Sequence, residues 1–270
     1  MATPEQMREI VRRQVRLWKT ATHPEWRACF TPDYRIEDPV GTGFRPMGSY
    51  EAEWNNMHAS ALRLDMEIYR LTVGGHEVVA DLRAVTHLDA PGRGPDAQDG
   101  ARSTLSYTGI YTVNDAGLLA TNRTFADPVN ETLWAAFYPT LPPPSSRPPL
   151  PRSEAELKQA VEDHLYFWNT GDLPRWRRRF REDALVEDPI GRGSQALGTG
   201  RELFEPAHAR DRRVLLGAHR VIVCGLEVLA HTVHCEERTG SPPRTTPHTE
   251  LFRFDAEGRI ESWRVFREDG

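Results

Sequence analysis

Two copies of one short segment carry the residues best placed to do chemistry: Glu37-Asp38-Pro39-Val40-Gly41 and Glu187-Asp188-Pro189-Ile190-Gly191. Each sets a carboxylate where a short strand pattern meets a turn. A carboxylate held at a strand end can take a proton from a substrate or return one to it, so general acid–base chemistry is the reaction type these residues offer. Asp-Pro is also ordinary turn chemistry, and that simpler role stands beside the catalytic one. Period-two alternation through Tyr34, Ile36 and Asp38 puts the aspartate on the apolar face, with Arg35 and Glu37 on the other. In the second copy Ala184, Val186 and Asp188 share that face.

The elements that must position these aspartates are duplicated as well. Residues 38 and 188 stand 150 positions apart, and the same spacing relates Trp18 to Trp168, Trp26 to Trp176, Trp54 to Phe204 and His58 to His208. Late in each half the spacing becomes 141, as between Phe125 and Phe266, so one loop of the second copy is nine residues shorter. The extra residues of the first copy fall in the Gly-, Pro- and Asp-rich stretch from Asp89 to Ala101, expected to lie over a cavity mouth. Self-similarity on this scale means two domains rather than a solenoid. Apolar residues at three-and-four spacing predict helices over residues 5–20 and 154–170. Second short helices follow Pro24 and Pro174, carry Phe30 and Phe180 and end at Asp33 and Asp183; third helices are predicted over 49–61 and 199–211. Strand patterns follow at 64–73, 76–88, 103–113 and 118–126, and at 212–223, 226–237, 246–254 and 259–267. Helices early and antiparallel strands late predict an α+β domain with helices packed on a curved sheet. The run from Pro139 to Pro151 reads as a stiff linker, giving domains at 1–139 and 153–270 with residues 140–152 between them.

Composition narrows the function. The net charge of −5 offers no basic face for nucleic acid, and the cluster from Arg175 to Arg181 reads as a solvated helix face. Cys29, Cys224 and Cys235 have neither disulfide nor zinc spacing. His231, His234 and His248 lack the pattern of a metal site. No metal and no cofactor are expected. The chain shows no apolar run of bilayer length and no apolar N-terminal leader, so no membrane partner and a cytoplasmic location are expected.

The order helix, helix, strand ending in Glu-Asp-Pro-Val/Ile-Gly, helix, four strands resembles the NTF2-like fold, and in particular its ketosteroid isomerase and SnoaL-type members. Asn169-Thr170-Gly171-Asp172-Leu173 leading through Phe180 and Glu182-Asp183 into Val186-Glu187-Asp188-Pro189-Ile190-Gly191 carries the resemblance most closely. It implies two cystatin-like cone domains forming an intramolecular pseudo-dimer, open to further homodimerisation. In the isomerases the motif aspartate is the base, while a tyrosine and a protonated aspartate hold the enolate oxygen. Carried over by position, the base is Asp38 or Asp188, the tyrosine falls on Gln14 or His164, and the second acid on Gly109 or Glu250. The tandem layout also resembles polyether epoxide hydrolase/cyclases of the lasalocid type, where the motif aspartate works with a carboxylate on the strand after helix three. That region offers Asp65 and Glu67 in the first half, and Leu215 and Gly217 in the second.

The expectation is a cofactor-independent acid–base enzyme acting on an apolar polyketide- or terpenoid-like molecule by ring closure or epoxide opening. A double-bond isomerase is the alternative, favoured if Glu250 titrates far above an ordinary glutamate. A non-catalytic ligand-binding or association protein is the alternative of another class, favoured if Asp38 and Asp188 are solvent-exposed or ion-paired outward. The candidate catalytic residues are Asp38, Asp188, Glu250, His164, Asp65 and Glu67, with the second half favoured because it keeps three of them. Trp18, Trp54, His58, Trp168, Phe204, His208 and Trp263 are the candidate ligand-binding walls.

Overall fold

The computed structural model describes residues 2–20, 22–59, 62–88, 101–127, 138, 141–143 and 150–267. The chain divides into two compact units, Met1–Pro149 and Leu150–Gly270. The stretch from Asp89 to Gly100 and most of the expected linker lie outside the described residues.

The first unit runs α1 (Pro4–Thr20), α2 (His23–Arg27), β1 (Phe30–Glu37), β2 (Arg45–Pro46), α3 (Met47–Ala59), β3 (Leu62–Gly74), β4 (Glu77–Leu88), β5 (Ala101–Val113) and β6 (Leu119–Ala126). The second repeats it: α4 (Glu154–Asn169), α5 (Leu173–Arg177), β7 (Phe180–Glu187), β8 (Gln195–Ala196), α6 (Arg201–Ala207), β9 (Arg212–Cys224), β10 (Glu227–Arg238), β11 (Ser241–Phe254) and β12 (Ile260–Phe266). These are two tandem NTF2-like domains. Each sheet has six strands, ordered β2-β1-β6-β5-β4-β3 and β8-β7-β12-β11-β10-β9. The four long strands of each sheet pair antiparallel, while β1 joins β6, and β7 joins β12, in parallel.

Each core forms where an apolar helix stripe meets the sheet. On α1, Met7, Val11, Val15 and Trp18 are buried at the spacing one helix face requires. Trp26 and Trp176 are wholly buried and sit at the centre of aromatic clusters, meeting Phe30 at 4.9 Å and Phe180 at 4.8 Å. The N-terminus of α4 is fixed by a capping box: Ser153 Oγ accepts from the Glu156 amide, and Glu156 Oε2 accepts from the Ser153 amide at 2.8 Å. Ser153→Ala is therefore expected to cost about 1 kcal/mol in urea unfolding; an unchanged midpoint would show that the cap contributes nothing to stability.

Two local readings are corrected. Phe30 and Phe180 begin strands rather than sit on the second helices, and Asp33 and Asp183 lie within those strands. The sheet captures the chain early, because the Leu119 amide donates to Cys29 O and the Ile260 amide to Arg179 O. The third helix of the second half is also shorter than its pattern predicts. Gly198 and Gly200 adopt positive φ ahead of it, and Pro206 lies in its last turn, where it cannot donate a backbone hydrogen bond.

Candidate active site

The repeated motif works as a unit, each residue with its own task. Gly41 and Gly191 have φ of 91° and 93°, a left-handed conformation that favours glycine. The glutamate turns away from the apolar face, yet it is buried rather than exposed. Glu37 accepts from the Gly41 amide at 3.0 Å and from Arg123 Nε at 2.8 Å. Glu187 likewise accepts from the Gly191 amide at 2.8 Å and from Arg264 Nε at 3.1 Å. The glutamate thus ties the turn to the neighbouring strand, and the aspartate is left pointing into the domain.

In the first half Asp38 opens onto a cavity. Gln14 and Trp18 of α1, Tyr50, Glu53 and Met57 of α3, and Leu64 and Met66 of β3 form one side. Ala84, Leu105, Tyr107, Tyr111, Asn122, Thr124 and Tyr138 complete it. Tyr138 donates its hydroxyl to Asp38 Oδ1 at 2.8 Å. Arg45 donates through Nη2 to the Asp38 carbonyl at 2.8 Å and through Nη1 to Glu53 Oε1. Burial raises the Asp38 carboxyl to about 6, against the opposing pull of the Tyr138 hydrogen bond, the Arg45 charge and Thr124. Burial likewise raises Glu53 to about 7, the Arg45 hydrogen bond and charge opposing and the nearby Asp38 reinforcing. The charge of a single guanidinium acts on both carboxyls in a poorly solvated site, so charge balance favours one retained proton between them. Burial also pushes the phenols of Tyr107, Tyr111 and Tyr138 up, which keeps them hydroxyl donors at neutral pH.

Glu53, Arg45 and Tyr138 are the site residues that sequence reasoning missed. Glu53 sits on the helical pattern one turn before Met57 and carries no motif. Its place on the inward side of α3 was the only signal. Asp65 and Glu67 do not join this site: alternation along β3 sends Leu64 and Met66 inward and the two acids outward, where Asp65 pairs with Lys19 at 2.9 Å and Glu67 with Arg83 at 3.0 Å. Of the expected walls, Trp18 lines the cavity, its indole N–H donating to Tyr50 at 3.1 Å. Trp54 packs in the core against Trp26. His58 spans the Trp54 and Trp18 carbonyls at 2.8 and 2.9 Å, pinning α3 to α1. His208 does the same with Phe204 and Trp168 at 2.9 and 2.7 Å.

The second half places different chemistry on the same frame. Glu250 is wholly buried and accepts from Thr232 Oγ1 at 2.7 Å, His234 Nε2 at 3.0 Å and Trp263 Nε1 at 2.8 Å. Burial works to raise its carboxyl, but the His234 hydrogen bond and charge, His164 and Thr232 outweigh it and hold the group down at about 2. His164 is wholly buried among Trp176, Phe180, Phe252 and Trp263, and burial lowers it to about 4, so it is neutral. Asp188 meets Arg267 at 3.4 Å, and burial raises its carboxyl despite that charge. Trp168 and Phe204 pack edge-on at 5.2 Å in the second core. Among the described residues no group of three or more His, Cys, Asp or Glu is arranged to hold a metal ion, and no helix is long and apolar enough to cross a membrane.

No curated protein matches the sequence. Among solved structures the chain is similar to SalBIII, described as an epoxide hydrolase/cyclase-like enzyme in pyran ring formation in the polyether salinomycin, at 24% identity and a TM-score of 0.38 over 43% of this chain and 92% of that one. An LEH-like epoxide hydrolase of M. tuberculosis aligns at 22% identity and a TM-score of 0.37, over 42% of this chain and 84% of its own. A hypothetical protein of ketosteroid isomerase-like fold from Catenulispora acidiphila DSM 44928, solved with trimethylamine, aligns at 18% and 0.36, over 41% and 85%. The sequence profile of the SnoaL-like domain matches residues 11–121 and again residues 161–263, and with both halves accounted for the chain belongs to the SnoaL-like domain family.

Proposed function

We propose that the first half is the active site of a cofactor-independent acid–base enzyme that opens an epoxide, or closes a ring onto one, in an apolar polyketide- or terpenoid-like molecule. The observation that carries this reading is that the Asp38 and Glu53 carboxyls line one cavity with aromatic and aliphatic side chains and both feel the charge of Arg45, which bonds the Glu53 carboxyl and the Asp38 peptide oxygen. Epoxide opening needs a base for the incoming hydroxyl and an acid for the departing oxygen, with environments that separate their pKa values. Burial raises both Asp38 and Glu53 towards neutrality, where one of the coupled pair can be ionised while the other keeps its proton. In the proposed step the Asp38 carboxylate takes the proton of a hydroxyl or water. That oxygen bonds to an epoxide carbon, the carbon–oxygen bond breaks, and the released oxygen takes its proton from Glu53. Arg45 then balances the charge of the ionised Glu53.

The isomerase reading loses its specific support. It asks for a protonated acid at the position of Glu250, whereas that carboxyl is held down at about 2, and the matching position of the first half is Gly109.

The test offers wild type and Asp38→Asn an epoxide bearing an internal hydroxyl and, separately, a β,γ-unsaturated ketone. Turnover of the epoxide that disappears in Asp38→Asn supports the reading; turnover of the ketone alone replaces it with isomerisation. Tyr138→Phe is a milder probe. Losing the hydroxyl that stabilises the Asp38 carboxylate is expected to move the acidic limb of the pH–rate profile upward and to cost about tenfold in rate at pH 6. An unmoved limb would separate Tyr138 from Asp38.

A further inference from the structure

The two cones share a frame and differ in what they present to their interiors. Where Ala84, Tyr107 and Gly109 face the first cavity side of the sheet, the register of β10 and β11 puts His234, His248 and Glu250. Gln14 is replaced by His164, and Asn122 by Trp263. The second interior therefore gains three imidazoles and a carboxylate, one of the imidazoles standing where the first has the phenol of Tyr107.

His234 is the accessible member of this set. Its side chain is 14% exposed and that of Asp188 20% exposed, while Glu250 beneath them is wholly buried. Glu250 accepts from Nε2, and as a carboxylate with three donors it cannot donate in return, so the proton of the neutral ring lies on Nε2. Nδ1 is then a bare acceptor, and no described residue hydrogen-bonds to it. The groups around the ring are His248, whose ring is tilted by 42° with its centroid 3.5 Å away, Thr232, Glu250, Asp188, the neutral His164, and the guanidinium groups of Arg267 and Arg192, which act on Asp188.

A carboxylate that fixes one nitrogen of a histidine and leaves the other free makes the ring a directed base. We propose that the second half holds a separate binding site for a small molecule with an acidic hydroxyl, a phenol or an enol, which His234 receives through Nδ1 with Glu250 behind it. The proton passes from the hydroxyl oxygen to Nδ1. The products are the bound oxyanion and an imidazolium whose charge Glu250 neutralises. This site is independent of the reaction proposed for Asp38.

4-Nitrophenol reads this out directly, because its phenolate absorbs in the visible and its phenol does not. At a pH below the free probe's own pKa, wild type and Asp38→Asn are expected to hold it as phenolate, whereas His234→Phe loses the phenolate band and about tenfold in affinity. Circular dichroism checks that the variant is folded. If it is not, histidine ¹⁵N spectra of the wild type decide: saturating probe must convert the Nδ1 signal of His234 from unprotonated to protonated. A phenolate band unchanged in folded His234→Phe, a band lost in Asp38→Asn, no phenolate on wild type at any pH below the probe's own pKa, or an unmoved Nδ1 signal would each overturn the proposal.

Discussion

Asp38→Asn is expected to lower kcat/KM for an epoxide-bearing alcohol by about 10²–10⁴-fold, the usual contribution of a positioned general base, while leaving ligand binding within a few-fold. The amide keeps the shape of the carboxylate and can still accept from Tyr138, so the cavity should survive the change. The pH profile gives the sharper check. Activity that needs Asp38 ionised rises with pH as that group loses its proton near 6, and activity that needs Glu53 protonated falls as that group ionises near 7. The result is a narrow bell whose two limbs belong to the coupled pair rather than to either residue alone. A plateau extending well above neutrality would remove Glu53 as the acid. A full-rate Asp38→Asn would remove the whole assignment. Linkage gives the same groups a second signature: a carboxyl raised by folding favours the folded state while protonated, so Asp38 withdraws stability as pH rises from 3.8 to about 6.

Glu250→Leu is expected to destabilise the second half by about 3–5 kcal/mol, the largest stability effect anticipated for a single substitution here. Leucine matches the volume but leaves the buried indole N–H of Trp263 and the hydroxyl of Thr232 facing an apolar group. Urea unfolding followed by tryptophan fluorescence measures the loss. The sign of the pH dependence is opposite to that of Asp38. Glu250 titrates lower folded than unfolded, so its stabilisation is fully present above 4.5 and disappears as pH falls through about 2. The shift corresponds to on the order of 3 kcal/mol. Glu250→Gln, which still offers one carbonyl oxygen, should lose less and should flatten the acid dependence in that window. A leucine variant as stable as wild type would mean that the network merely fills space.

These two carboxylates show why part of the site was legible in the chain and part was not. Asp38 and Asp188 stood out because a turn motif is local. Five consecutive residues set the glycine conformation, the glutamate tie and the inward aspartate, and repetition at matched positions marked them. Glu53 and Arg45 carry no such signal. They meet because β2 and α3 fold back on the end of β1, a contact made by topology rather than by spacing. Asp65 and Glu67 failed for the complementary reason. Alternation puts both on one face of β3 but does not say which face is inward, and the packing of α1 against β3 turns Leu64 and Met66 toward the core.

The sequence by itself determined the duplication, the order of elements, the α+β class and the inward direction of the motif aspartates, because periodicity and turn chemistry are written in neighbouring residues. Only the tertiary structure decided the state of the buried acids. Asp38 and Glu250 are both carboxylates inside related cones, and burial acts on both to raise them. One has a phenol and a nearby guanidinium for company and stays high; the other has three donors, one of them a histidine, and is driven low. Desolvation is common to both sites, and the count and charge of hydrogen-bond donors gathered from distant strands sets the outcome.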